Sequence, residues 1–172
     1  MSRLSKAACI CAVGLMSLAP AATASKEPKP NNVAAKLCAA EKHADKAAFN
    51  ATYGPKHAMR NCKRVHREEA GATLANAAQQ CRAEQEADPA LFAATYGTKK
   101  NAFDKCVSAK VKAAAAEEGE KFANAAQECR AERRTDPEAF QSTYGSNENR
   151  RNAFGKCVSQ RVREGETDPP TV

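Results

Sequence analysis

The side chains here that could do chemistry are cysteines, histidines and a recurring set of acids, tyrosines and basic residues. The cysteines are Cys38, Cys62, Cys81, Cys106, Cys129 and Cys157, with Cys9 and Cys11 in an amino-terminal stretch expected to be removed. Thiols can run redox chemistry, hold a soft metal or close disulfides. No CxxC is present, and pairs 24 to 28 residues apart fit structural disulfides better than a reactive thiol. The oxidising compartment expected of a chain with a removable amino-terminal signal disfavours a thiolate metal site. His43, His57 and His66 all fall within residues 33–67, with no two of them four apart, so surface positions are expected. No Ser/His/Asp order, phosphate loop or zinc-helix motif occurs. The expectation is a protein without enzymatic activity, cofactor or metal.

Glu41, Glu84 and Glu132 each follow a cysteine by three residues. A recurring acid could bind a cation; an ion pair with Arg or Lys of the same hairpin is the simpler expectation. Tyr53, Tyr96 and Tyr144 could stack on a sugar or base, but each follows a Phe by four and precedes a Gly, which reads as core and turn. The basic residues cluster after each TYG. The candidate anion-binding set is Lys56, Arg60, Lys99, Lys100, Lys105, Arg150, Arg151 and Lys156, with Lys63, Arg64, Arg67, Lys110, Arg161 and Arg163 beside it. The loop from TYG to the second cysteine varies in length, and variable exposed loops are where binding differences reside. Acids such as Glu117, Glu118 and Glu120 lie between the clusters and favour ordinary solubility charge instead.

What positions these residues is a repeat. CAAE at 38–41 answers CRAE at 81–84 and 129–132. Asp45, Asp88 and Asp136 follow at one register, then Phe49, Phe92 and Phe140, then TYG at 52–54, 95–97 and 143–145. The second cysteine sits in NAFDKCVS at 101–108, in NAFGKCVS at 152–159, and in the weaker HAMRNC at 57–62. DPxxFxxTYG followed by NAFxKCVS resembles repeats in uncharacterised exported proteins of high-GC Gram-positive bacteria. The resemblance covers the second and third copies well and the first partly. It implies export and repetition, and brings no activity or site residue.

The spacing reads as helix throughout. Each copy gives a helix A, a short helix B and a helix C. Asp caps helix B, with Pro89 and Pro137 at its first position. Gly97 and Gly145 are expected to end it in the left-handed region. If A and C are antiparallel, the two cysteines of a copy sit level, about 7–10 Å from the turn. The expected pairs are therefore Cys38–Cys62, Cys81–Cys106 and Cys129–Cys157, each worth roughly 3 kcal/mol in the chain-entropy account. Such staples matter because the hydrophobic fraction of 42% is mostly alanine, which makes helix readily and core poorly. Helix C runs into the next helix A without proline from Ala102 to Thr135. The fold class expected is all-α: three disulfide-stapled helical hairpins joined by long helices in an extended array. A break at Gly71 or Gly119 is the alternative that would let the units fold together. The first copy, lacking Asp-Pro and NAF, is expected to be a terminal cap.

The boundaries follow. Residues 1–24, with Arg3 and Lys6 before an apolar run and Ala22-Thr23-Ala24 at its end, read as a signal peptide. Residues 25–32 read as a flexible leader, 33–67, 68–116 and 117–163 as the repeats, and 164–172 as a disordered tail. Removing the signal leaves a net charge of about +5. The reading is a secreted protein with a structural or interaction role at the cell envelope or outside the cell. The alternative is a basic module that binds an anionic extracellular polymer (polysaccharide, teichoic-type polymer or nucleic acid), and the third reading is an enzyme or enzyme inhibitor. The partner would be an anionic envelope polymer or another secreted protein, with no integral membrane span expected once the signal is removed.

Overall fold

Three aspartates start three short helices. The carboxylates of Asp45, Asp88 and Asp136 accept from the backbone N–H of Ala48, Leu91 and Ala139, each at 2.9 Å. This satisfies one of the amides a helix start leaves unpaired. Pro89 and Pro137 follow at the first helical position, where no N–H is required.

The structure is a computed structural model and describes residues 28–165. The segment expected as a signal peptide and residues 166–172 of the expected tail lie outside it. Eight helices make up the described residues, with no strand among them. They are α1 (Pro30–Ala44), α2 (Lys46–Tyr53), α3 (Ala58–Val65), α4 (Arg67–Ala87), α5 (Pro89–Tyr96), α6 (Ala102–Thr135), α7 (Pro137–Tyr144) and α8 (Ala153–Gly165). Residues 30–32, read as leader, form the first turn of α1, and Glu164 and Gly165, read as tail, end α8. No helix of the described residues is long and apolar enough to cross a membrane.

Each segment closes on its own disulfide: Cys38–Cys62, Cys81–Cys106 and Cys129–Cys157, with Cα–Cα distances of 5.9–6.0 Å. All six cysteines are fully buried. Beside each bridge a Phe and a Tyr four residues apart stack at 4.9 Å between ring centroids.

The helices run straight through both glycines. Gly71 lies inside α4 and Gly119 inside α6, a 34-residue helix about 50 Å long. Even so, the units are not strung out in an extended array. Helix α1 packs along α6 and against α4, and α2 packs on α8. The first segment is therefore wedged between the other two and is not a terminal cap. Two core clusters result. Val33, Ala34 and Leu37 of α1 join the amino-terminal half of α6, with Val107 and Val111. Phe49 and the Cys38–Cys62 bridge join its carboxy-terminal half, with Phe122, Phe140 and Val158.

Small residues make this folding back feasible. A Cβ on Gly119 would lie 3.3 Å from Ala40 of α1, and a Cβ on Gly155 would lie 2.2 Å from the Ala51 carbonyl of α2. Gly155 stands where the second copy has Asp104, so this close approach belongs to the third segment alone. The turn glycines divide. Gly54 and Gly97 take φ of 90° and 93°, whereas Gly145 has φ −75° and Arg150 takes the positive φ in its longer loop. The chain between α3 and α4 departs from helical geometry at His66 (φ −81°, ψ 13°), not at a glycine.

Candidate functional site

Each recurring glutamate meets a tyrosine and a cation. The Tyr53, Tyr96 and Tyr144 hydroxyls donate to Glu41, Glu84 and Glu132, each at 3.2 Å. The cation comes from the helix after the second cysteine, four residues on: His66, Lys110 or Arg161. Four residues is about one helical turn, so the cation projects from the same face as the cysteine, toward the partner helix. The distances are 2.7 Å for His66–Glu41, 2.5 Å for Lys110–Glu84 and 3.3 Å for Arg161–Glu132. The expected ion pair within the hairpin thus forms with Lys110 and Arg161 in two segments.

The first segment differs. Lys110 and Arg161 are partly exposed, but Glu41 is 0% and His66 6% accessible. The surface position expected for His66 is therefore corrected, while His43 and His57 are exposed. The reason is register: the turn that brings Lys110 to a half-open edge brings His66 beneath α6. Its Nε2 faces Glu41 and lies 3.0 Å from the Tyr53 hydroxyl; its Nδ1 faces Glu69. Burial of the ring works against its charge, but Glu41 and Glu69 together hold its pKa up at about 10. His66 is accordingly an imidazolium at neutral pH.

A fourth group enters from α6. Glu118 is 4% accessible, and its Oε1 has no hydrogen-bond partner. Desolvation, then the charges of Glu69 and Glu41, push its pKa up to about 7. His66 and Lys121 pull weakly the other way. Measured back from Cys129 and Cys81, Glu118 stands where α4 carries Ala70; measured on from Cys62 and Cys106, Glu69 stands where α6 carries Ala113. The residues by which the segments differ thus converge. Tyr53, His66, Glu69 and Glu118 line a cleft of about 240 Å³ that Ser159, Val162 and Arg163 of α8 help to wall. The cysteine-plus-four register was the signal by which His66 could have been found in the sequence.

The expected anion-binding residues do not form one surface. Lys56, Arg60, Lys99, Lys100, Lys105, Arg150, Arg151 and Lys156 are all exposed. Lys56 lies between α2 and α3. Lys99 and Lys100 lie in the turn before α6, Lys105 in its first turns, Arg150 and Arg151 in the loop before α8, and Lys156 on α8. Arg150 is tied back by a 3.1 Å bond to Ser142. Of the eight, Arg60 enters a cleft lined chiefly by basic side chains. That cleft, about 430 Å³, is lined by Asn31, Arg60, Asn61, Lys63, Arg64 and Arg67. The four cations stand at i, i+3, i+4 and i+7, the spacing of one helix face. Among the described residues none of the four has a carboxylate within ion-pair distance. The i+7 member lies just past the break at His66, where helical bonding still passes from Cys62 to His66 and from His66 to Ala70. Reading the basic residues by loop instead of by helix face hid this stripe.

Comparison of the chain with family models, with curated proteins and with solved structures returns no match.

Proposed function

We propose that the chain is an exported, non-enzymatic scaffold that binds an anionic extracellular polymer through the basic cleft of its first segment. Three buried disulfides fit an oxidising compartment, and the amino-terminal charge-then-apolar pattern fits export. Repetition supplies a rigid frame for a chain whose hydrophobic residues are mostly alanine. The observation that carries the partner is the stripe Arg60, Lys63, Arg64 and Arg67: four unpaired cations on one helix face, rimmed by two amides. Such an array attracts a polymer of closely spaced phosphate or carboxylate groups, and the asparagines can donate hydrogen bonds to it.

The test is a pull-down on purified envelope polysaccharide and teichoic-type polymer at increasing salt. Binding should weaken with salt, and fourfold replacement of Arg60, Lys63, Arg64 and Arg67 by Ala should remove it. Changing Lys99, Lys100, Arg150 and Arg151 should lower affinity far less. Unchanged binding by the fourfold variant would overturn this reading.

A further inference from the structure

Among the described residues, one group brings three metal-ligating side chains together, and it belongs to the first segment. Donor atoms of Cys38, Cys62 and His66 all lie within 4.8 Å of one another, and all three residues are buried. Glu41 completes the set: one carboxylate oxygen is 2.7 Å from His66 Nε2, the other 3.5 Å from Cys62 Sγ. In the second and third segments the position of His66 holds Lys110 and Arg161, which are not ligands under these conditions. An ion pair with glutamate is served by lysine or arginine, so imidazole adds something the other two segments lack.

We propose that the first segment is a thiol-dependent metal site. When the Cys38–Cys62 bond is reduced, Cys38, Cys62, His66 and Glu41 bind one zinc-like divalent cation. Two thiolates, an imidazole and a carboxylate are a donor set zinc accepts in tetrahedral geometry. Cys62 and His66 stand four apart on consecutive helical turns and face Cys38 and Glu41 of α1, so two rigid elements present two donors each. Glu69 lies against Nδ1 of the same ring, the outer carboxylate that fixes which nitrogen a ligating histidine offers. The chemistry balances. A dithiol reductant gives two electrons and two protons to the Cys38–Cys62 bond and becomes a disulfide itself. The cation then displaces both thiol protons and the proton on Nε2. Reoxidation by a disulfide-bearing oxidant takes two electrons back and releases the cation.

The experiment is a cobalt(II) titration of the full chain under a non-chelating reductant. It is followed by the thiolate-to-cobalt charge-transfer band and the visible bands of tetrahedral cobalt, with far-ultraviolet dichroism recorded alongside. The expected result is one cobalt per chain although six thiols are present, no binding by the oxidised chain, and displacement of cobalt by zinc. H66K, which installs the side chain of the second segment, should abolish the tetrahedral bands. E69Q should keep them with affinity lowered about 10- to 100-fold. Changing Cys81 and Cys106 to Ser should leave the stoichiometry at one. If H66K lost its helical dichroism, the stoichiometry and E69Q would still decide. Three cobalt ions per reduced chain, none, or an unchanged spectrum in H66K would each overturn the proposal.

Discussion

The first segment and the other two solve one problem with different means. All three hold a glutamate between a tyrosine hydroxyl and a cation beside a disulfide. In the second and third the cation is a long side chain at a half-open edge, where water screens the pair. In the first it is a histidine beneath α6, with two more carboxylates around it. A solvated pair contributes little; a buried one must be complete, because each charge depends on the others for what water would supply. The same local unit is therefore replaceable in two segments and essential in one, since only the first is covered by its neighbours.

Removing the cation should break the comparison most visibly. His66→Ala leaves Glu41 buried without its main partner and should cost about 3–5 kcal/mol in denaturant unfolding. Lys110→Ala and Arg161→Ala should each cost about 1 kcal/mol or less. Equal losses at all three positions would show that burial does not set the difference.

Glu118 gives a second contrast, in pH. Its folded pKa of about 7 is above the ordinary carboxyl value, so the folded state binds its proton more tightly than the unfolded chain does. The associated stability is fully present below about pH 4.5 and is lost as pH rises through 7. Thermal unfolding should show a stability drop on the order of 2 kcal/mol between pH 5 and pH 8. Glu118→Gln should shrink that drop and stabilise the protein at pH 8, leaving the part owed to His66, whose raised pKa also loses stability as pH rises above about 6.5. A pH-independent wild-type transition over that range would contradict the account.

Packing between segments should follow. Gly155→Ala places a methyl against the Ala51 carbonyl and should cost about 1–3 kcal/mol. Gly71→Ala, with nothing within 4 Å of the added Cβ, should be neutral or stabilise by up to about 1 kcal/mol. The smallest effect separates the three helix caps. Asp88→Ala and Asp136→Ala should each cost about 1 kcal/mol. Asp45→Ala should cost slightly more, because Asp45 also pairs with Arg130 of α6 at 2.5 Å. Burial opposes that carboxylate's charge, but the Ala48 N–H and Arg130 hold its pKa below the usual value.

Local structure was legible in the residues because local rules decide it. The Asp-Pro starts, the Phe–Tyr pairs and the run from Ala102 to Thr135 each name their own helix. The disulfide pairs follow once two antiparallel helices are level. The folding back of the first segment was not legible. Besides the apolar contacts of Val33, Leu37 and Phe49, it needs Gly119 to meet Ala40 and Gly155 to meet Ala51, close approaches with almost no side chain to form a pattern. The burial of His66 was hidden for the same reason: its register pointed to Glu41, but only the cover of α6 makes that contact dry. The basic stripe needed helix periodicity applied across a break in the helix.

The claim that the first segment carries the function is tested most directly by nuclear magnetic resonance. Amide shifts of the oxidised chain would be followed during titration with a short anionic envelope oligosaccharide. The account predicts shifts concentrated from Arg60 to Arg67 and around Asn31, reversed by added salt. Shifts spread evenly over Lys99, Lys100, Arg150 and Arg151, with residues 60–67 unmoved, would contradict it.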